Sequence, residues 1–441
     1  MNVRITGKRP TASWCVAVAC FTLPPLAHAA LDPFTVTAGE TVTHDSNVFR
    51  SADDIAVPDT QSDTRARLDY TEAFGRSQAT AWAAVDASRY KHSTQLDNDG
   101  YLLGGEFDWA TIGHLSGKLG GEDNSSLYRP GLSGDEAYQG KSILHTKRAF
   151  TRATLGGSGP FGVEGGLEIS SSKNSAAALN VNDLNQWDGD LGVYYMQSPS
   201  LKLSLLGRRT NGKYPYLGST TEGTSPNLVT VPSPIDFHRD DIILGGLWTP
   251  GGFTSVEARV ARTQEDYSVS SGRHYWTGFL KGSWQVTGHI KLMASVARDS
   301  AQDFEGGVLG QGSISDQQGG STGSTGSTGT PGSQPAVAQQ SLSMNDAVLL
   351  SGLWQMTSKI DLSGTFLHAS RRYNDVQLGT LLLNGSDDSN QYQLGLNYQI
   401  NRAIKAGCAG SRSTHVPGAL GVLGGAYVSN AYSCYAELSL H

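Results

Sequence analysis

The chain has 441 residues and a formal charge of −7, long enough for two or three ordinary domains or for one large closed sheet. Glycine contributes 54 residues and charged side chains only 17% of the chain, against roughly 7% and ~25% in ordinary proteins, so the chain is too weakly charged to be disordered. No run reaches the ~18 to 20 consecutive apolar residues of a membrane helix, and the acidic balance excludes a nucleic-acid or anionic-surface binder working through clustered Lys and Arg.

Residues 1–29 read as a cleaved signal peptide: Arg4, Lys8 and Arg9 precede the apolar stretch Trp14 to Leu23, and Ala27-His28-Ala29 supplies a small-residue cleavage site. Cys15 and Cys20 leave with it. The remaining chain, residues 30–441, holds just Cys408 and Cys434 in a compartment where disulfides survive.

From residue 30 onward the dominant pattern is alternation of apolar and polar residues in segments of about 10, the length of a tilted membrane-spanning strand. Phe161, Val163, Leu167 and Ile169 alternate with Glu164 and Glu168, and Leu201, Leu203 and Leu205 with Lys202, Ser204 and Arg208. The segments LWTPGGFTSVEARVAR, SWQVTGHIKLMASVAR and LWQMTSKIDLSGTFLHASRR, with a weaker copy NYQINRAIKAGCAGSR, repeat an aromatic, a short polar turn and an alternating strand. Their aromatics are Trp248, Trp284, Trp354 and Tyr398. Between the second and third copies lies a Gly/Ser/Thr insertion at about residues 306–343, whose composition predicts a flexible loop.

Short turns follow the aromatics and long polar loops follow the opposite strand ends, an asymmetry that separates the two rims of a barrel. The expected fold is all-β: a transmembrane antiparallel up-and-down barrel of about 18 strands, within a range of 16–18, with short periplasmic turns and long extracellular loops. Odd strands are expected to start near 34, 78, 115, 161, 201, 254, 289, 359 and 403, and even strands near 64, 99, 145, 186, 238, 273, 344, 388 and 424. A soluble sandwich is also built of alternating strands, but it gives no reason for an aromatic to recur at the same end of successive hairpins.

The opening of the exported chain, LDPFTVTAGETVTHDSNVFR, resembles that of EpsL-type outer-membrane proteins associated with exopolysaccharide biosynthesis, with Asp45, Ser46, Asn47, Phe49 and Arg50 carrying most of the likeness. The repeated tryptophan-turn-strand units are similar to the rest of that family. The resemblance implies a barrel in the Gram-negative outer membrane that acts in exopolysaccharide biosynthesis or secretion as a channel or export component. It implies exopolysaccharide and its assembly machinery as partners, and no known catalytic residues. A general diffusion porin and a structural barrel without transport activity are the alternatives.

Chemistry-bearing motifs are few. Gln95, Asp97, Asp99, Gly100 and Glu106 fall at calcium-loop spacing, but Gln stands at the first ligand position and Tyr101 to Trp109 reads as a strand, so a loop-tip turn is expected. The G-x-S-x-G at Gly319 to Gly323 lies in the insertion, without the strand and helix that a nucleophile elbow needs. No enzyme, metal, cofactor or nucleic-acid partner is therefore expected, and the sequence leaves the oligomeric state open. Asp45, Ser46 and Asn47 read better as a loop entry satisfying its own backbone than as a ligand cluster.

Cys408 and Cys434 share the apolar face of the last hairpin and are expected to bond. Arg209, Arg262, Arg298, Arg372 and Arg412 share that outward face near the long-loop end, where a basic ring is expected, either pairing with lipopolysaccharide phosphates or serving as ordinary strand-end charges. The opposite face supplies the lumen. There the acids Glu106, Asp108, Glu122, Glu164, Glu168, Asp188, Asp190, Glu257 and Asp361 oppose the bases Lys118, Lys202, Arg208, Arg259, Lys281 and Lys291. Tyr275 and Phe279 are candidate stacking surfaces for sugar rings, with simple filling of space as the other reading, beside Glu257, Arg259, Lys281 and Asp361.

Overall fold

The computed structural model describes residues 33–128, 140–156, 159–222, 229–268, 270–300, 343–378, 381–418 and 425–440. The expected signal peptide lies outside these residues, as does the Gly/Ser/Thr insertion apart from Ser343.

Alternation resolves into eighteen strands among the described residues. The first half is β1 (Phe34–Asp45), β2 (Asp59–Phe74), β3 (Ser77–Tyr90), β4 (Asn98–Ala110), β5 (Leu115–Leu127), β6 (Ile143–Leu155), β7 (Phe161–Asn174), β8 (Leu184–Ser198) and β9 (Leu201–Glu222). The second is β10 (Val229–Trp248), β11 (Thr254–Tyr267), β12 (Ser270–Gln285), β13 (Ile290–Ser300), β14 (Ser343–Gln355), β15 (Ile360–Leu378), β16 (Leu381–Gln399), β17 (Ile404–Val416) and β18 (Tyr427–Leu440). Each strand pairs antiparallel with its sequence neighbour, and β1 pairs with β18 from Val36↔Leu440 to Asp45↔Ala431, closing the sheet without an edge. Closure satisfies every ladder within the sheet, the condition for crossing hydrocarbon with strands.

The strand count and most starts agree with the sequence pattern. The largest displacements are at β10, which begins at Val229 against an expected 238, and β16, at Leu381 against 388. Here the strands run past the apolar band: β9 has 22 residues, β10 20, and β15 and β16 19 each. The expectation of long loops throughout that end is corrected accordingly, since two residues separate the end of β11 at Tyr267 from the start of β12 at Ser270, and two separate Leu378 of β15 from Leu381 of β16. Extended hairpins replace loops where β-branched and polar residues continue the ladder beyond the lipid-facing repeat.

Side chains divide by parity. Outward positions are large and apolar: Leu191 is 68% exposed, Ile242 66% and Leu394 60%. No protein layer among the described residues covers them, so the exterior is built to meet lipid. At the short-turn rim the outward aromatics form a girdle, with Phe34 on Tyr70 at 5.0 Å and Phe161 on Tyr195 at 4.9 Å. The repeated aromatics stand in register with the first residue or two of a strand: Trp284 opposite Thr254, Trp354 opposite Ile290 and Tyr398 opposite Ile360. A second outward girdle, of Trp187, Trp276, Tyr392 and Tyr432, lies toward the long-loop end. Trp276 and Trp284 on β12 are eight residues apart, about 26 Å along the strand and ~20 Å along a barrel axis tilted ~40° from it, close to the ~25 Å apolar band of an outer-membrane barrel. One outward carboxylate interrupts the band: Glu40 on β1 accepts hydrogen bonds from Ser62 and Thr64 on β2.

Candidate functional site

Eighteen strands spaced ~4.8 Å apart and tilted ~40° have a circumference of about 113 Å and a backbone radius of roughly 18 Å. Side chains reaching inward from such a wall do not meet at the centre. Lumen-facing groups accordingly keep solvent access, with Lys118 44%, Asp108 47% and Arg148 51% exposed.

Every lumen residue expected from the sequence faces inward, and the structure joins many of them across strands. Lys118 lies 2.8 Å from Glu106 and 3.6 Å from Asp108, and Lys202 lies 2.6 Å from Glu164. Glu257 stands in register with Lys281, and Asp361 sits near the short-turn end, in register with Asn397. The sequence reading missed the arginines that complete this wall. Arg148 binds both oxygens of Glu168 at 2.6 and 2.7 Å, Arg152 lies 2.6 Å from Asp190, and Arg67 forks onto Asp69. Their signal was the parity of β2 and β6, where Leu68 and Leu155 face outward.

Deeper toward the long-loop end, Arg239 is 1% exposed and lies 3.0 Å from Asp241 and 3.0 Å from Asp299. Arg208 donates to Asp241 at 2.8 Å, and the Thr263 hydroxyl donates to the same carboxylate at 2.5 Å. Glu265 accepts from Tyr267 at 3.0 Å and Tyr275 at 2.6 Å. Tyr275 is thus held by Glu265, and Phe279 carries the Arg259 guanidinium 5.3 Å from its ring centre. Both candidate stacking rings are committed to charged neighbours.

The other side of the lumen differs. At mid-height from β13 to β1 the inward residues carry no charge: Ser295, Ser351, Ser363, Thr365, Gln393, Ser411, Ser433 and Thr41 supply hydroxyls and an amide, interrupted on β14 and β15 by Leu349, Leu353 and Leu367, of which Leu367 packs on Ala347. Among the described residues of these strands charges return at the ends, as Lys291, Asp361, Lys405 and Glu437 below and Asp299, Arg371, Asp387 and Asp45 above.

Apolar clusters pack at the long-loop end, between connections and strand ends. Phe49 packs with Tyr90, Leu96 and Leu127; Tyr128 with Leu144 and Leu179; and Ile235 with Phe237 and Tyr267. Asp183, beside the second cluster, accepts the Asn174 backbone N–H at 2.7 Å, while burial pushes its carboxyl above the ordinary value. The Asp45 to Arg50 segment is a clasp on the β1–β18 seam. Arg50 (φ +55°) reaches Asp45 at 2.7 Å and Ser429 at 3.1 Å, Ser46 N–H donates to Asn430 O at 3.0 Å, and the Asn430 N–H returns to Ser46 Oγ at 2.8 Å. Asn47, fully buried, exchanges hydrogen bonds with the Ser51 backbone at 2.6 and 3.0 Å. These polar groups are spent on the loop itself.

On the exterior, Cys408 and Cys434 stand in register and form a disulfide. All five rim arginines face outward, three beside acids: Arg209 is 3.6 Å from Asp240, while Arg298 and Arg372 flank Asp346 at 3.8 and 2.9 Å. Arg262 lies 5.6 Å from the Trp276 ring centre. Of the calcium-spaced residues, Asp99 pairs with Arg89, Asp97 accepts the Tyr90 N–H, and Glu106 lies across the lumen wall on Lys118. No group of three potential metal ligands occurs among the described residues.

The sequence matches no family model and no curated protein. Among solved structures, it is similar to Pseudomonas aeruginosa OccK1 (OpdK), with 8% identity, a TM-score of 0.48, and coverage of 93% of this chain and 100% of that one. OccK5 (OpdH) of the same organism shares 10% identity and a TM-score of 0.43, covering 93% and 99%. The E. coli K12 ferric-catecholate import receptor Fiu, in its closed form, shares 8% identity and a TM-score of 0.45, covering 92% and 81%.

Proposed function

We propose that this chain is an outer-membrane channel for hydroxyl-rich cargo, serving exopolysaccharide secretion as the resemblance of its opening residues to EpsL-type proteins implies. One observation carries the channel reading. The exterior is apolar between two aromatic girdles, whereas the interior is lined with charged, hydroxyl and amide groups that reach solvent in a barrel of roughly 18 Å radius. The uncharged arc from β13 to β1 suits neutral polymer, because hydroxyls and amides both donate and accept to sugar hydroxyls and demand no counter-ion. In this reading the short turns face the periplasm, and the outward arginines meet lipid phosphates at the outer rim.

Purified protein in planar bilayers is expected to carry stepwise ionic current. Complete absence of current from correctly folded barrels would overturn the channel. It would favour the second reading, a structural barrel, which the apolar clusters packed at the long-loop end support.

A further inference from the structure

Seven tryptophans lie among the described residues, and six face lipid. Trp82 is the exception. Val85 on the same strand is 60% exposed outward, so parity turns Trp82 into the lumen, in register with Asp69 on β2 and Gly104 on β4. A half-buried indole on a hydrated wall gains nothing from lipid and forgoes the packing of a core.

Its surroundings leave it accessible. The indole lies across β4 in the space that a Cβ on Gly104 would need, 2.5 Å from Cε2 and Cζ2. Its lumen-side neighbours on β3 are Thr80 and Ala84, both small. Around it stand groups that hydrogen-bond from the edge: the Arg67–Asp69 fork on one side, and on the other Glu122 and the Glu106–Lys118 pair. An aromatic face ringed by carboxylates and a guanidinium matches a ligand with an apolar C–H face and hydroxyls around its rim.

We infer that Trp82 is a stacking platform for a pyranose ring in the lumen, its hydroxyls held by Asp69, Arg67 and Glu122. The inference rests on the channel reading and names the class of cargo that touches the wall. Gly104 is part of the device, because any side chain there would lift the indole off the wall.

The test uses the full-length barrel in detergent, titrated with maltohexaose, cellohexaose and mannohexaose by isothermal calorimetry and saturation-transfer NMR. At least one hexasaccharide is expected to bind, W82A to weaken it about tenfold or more, W82F to retain most of the affinity, and G104V to lose it with the tryptophan still present. Heat-modifiable migration establishes that each variant is folded. Binding by W82A equal to wild type, or no binding of any of the three sugars by wild type, would overturn the platform. Bilayer current separates the two claims. Sugar binding through Trp82 without current removes the channel and leaves the site, whereas current with no sugar binding removes the site and leaves the channel.

Discussion

The two sides of the lumen are held by different physics. From β2 to β12 the wall is a lattice of cross-strand ion pairs, ending in the buried Arg239–Asp241–Arg208 group. From β13 to β1 the mid-height wall is neutral, and covalent and loop devices appear instead: the Cys408–Cys434 staple and the Asp45–Arg50 clasp at the seam. Charge on one side and hydroxyls on the other give the same backbone two different surfaces. Stability and selectivity therefore need not be carried by the same residues.

The sharpest way to break this contrast is Asp241→Ala. That carboxylate receives Arg239, Arg208 and Thr263 at once, and removing it leaves a guanidinium that is 1% exposed without its main partner. Losing one member of a buried pair costs about 3–5 kcal/mol. The temperature at which the barrel converts to the slow-migrating unfolded form is expected to fall by more than for any other single change described here. An unchanged transition would show that the charged wall is not what braces β9 to β11.

On the neutral side the corresponding change is Cys408→Ser with Cys434→Ser. The bond spans a sequence separation of 26, and closing a loop of that size is worth about 3 kcal/mol. The strands stay paired by their ladder, so the loss is expected as an earlier unfolding transition without loss of the barrel, reproduced in wild type by reductant. If reductant leaves wild type unchanged, the staple adds nothing to the β17–β18 hairpin beyond what its ladder already holds.

Most of the architecture was legible because one rule governs it. Lipid demands an apolar residue at every second position, and aromatics where strands leave the bilayer, so strand number, outward face and disulfide could all be read from period and spacing. The rule weakens where lipid stops. β10 and β16 begin earlier than the pattern predicts because their first residues lie beyond the band that enforces it. Lumen residues were legible where their outward neighbours are bulky, as in β7 and β9. Trp82 was hidden because the run Thr80-Ala81-Trp82-Ala83-Ala84 is small on both faces, leaving Val85 as the single guide to its direction. Tyr275 and Phe279 were found to be lumenal by parity, but parity says nothing of a partner, and Glu265 and Arg259 engage them.

The smallest effects on stability test the contrast most finely, through current. Arg148→Gln with Arg152→Gln removes two half-exposed cations from the charged wall, while Thr365→Lys adds one to the neutral wall at an exposed site in register with Ser351 and Gln393. An exposed pair such as Arg148–Glu168 is worth ~1 kcal/mol or less, and a surface substitution stays within about 0.5 kcal/mol, so Thr365→Lys is expected to unfold near the wild-type temperature and the double variant somewhat below it, because Asp190, 9% exposed, loses Arg152. Their reversal potentials in a salt gradient should move oppositely, toward cations for the double variant and toward anions for Thr365→Lys. The walls stand some 36 Å apart, several times the ~10 Å Debye length at 0.1 M but close to the ~30 Å at 0.01 M. At high salt each wall therefore governs only ions passing along it, and both shifts should be small. At low salt the fields overlap, and combining the three substitutions should return selectivity toward wild type. Cancellation already complete at high salt would mean that the two surfaces act on one narrow stream, and that the mouth or an inward loop forces cargo through a passage much tighter than the barrel wall allows.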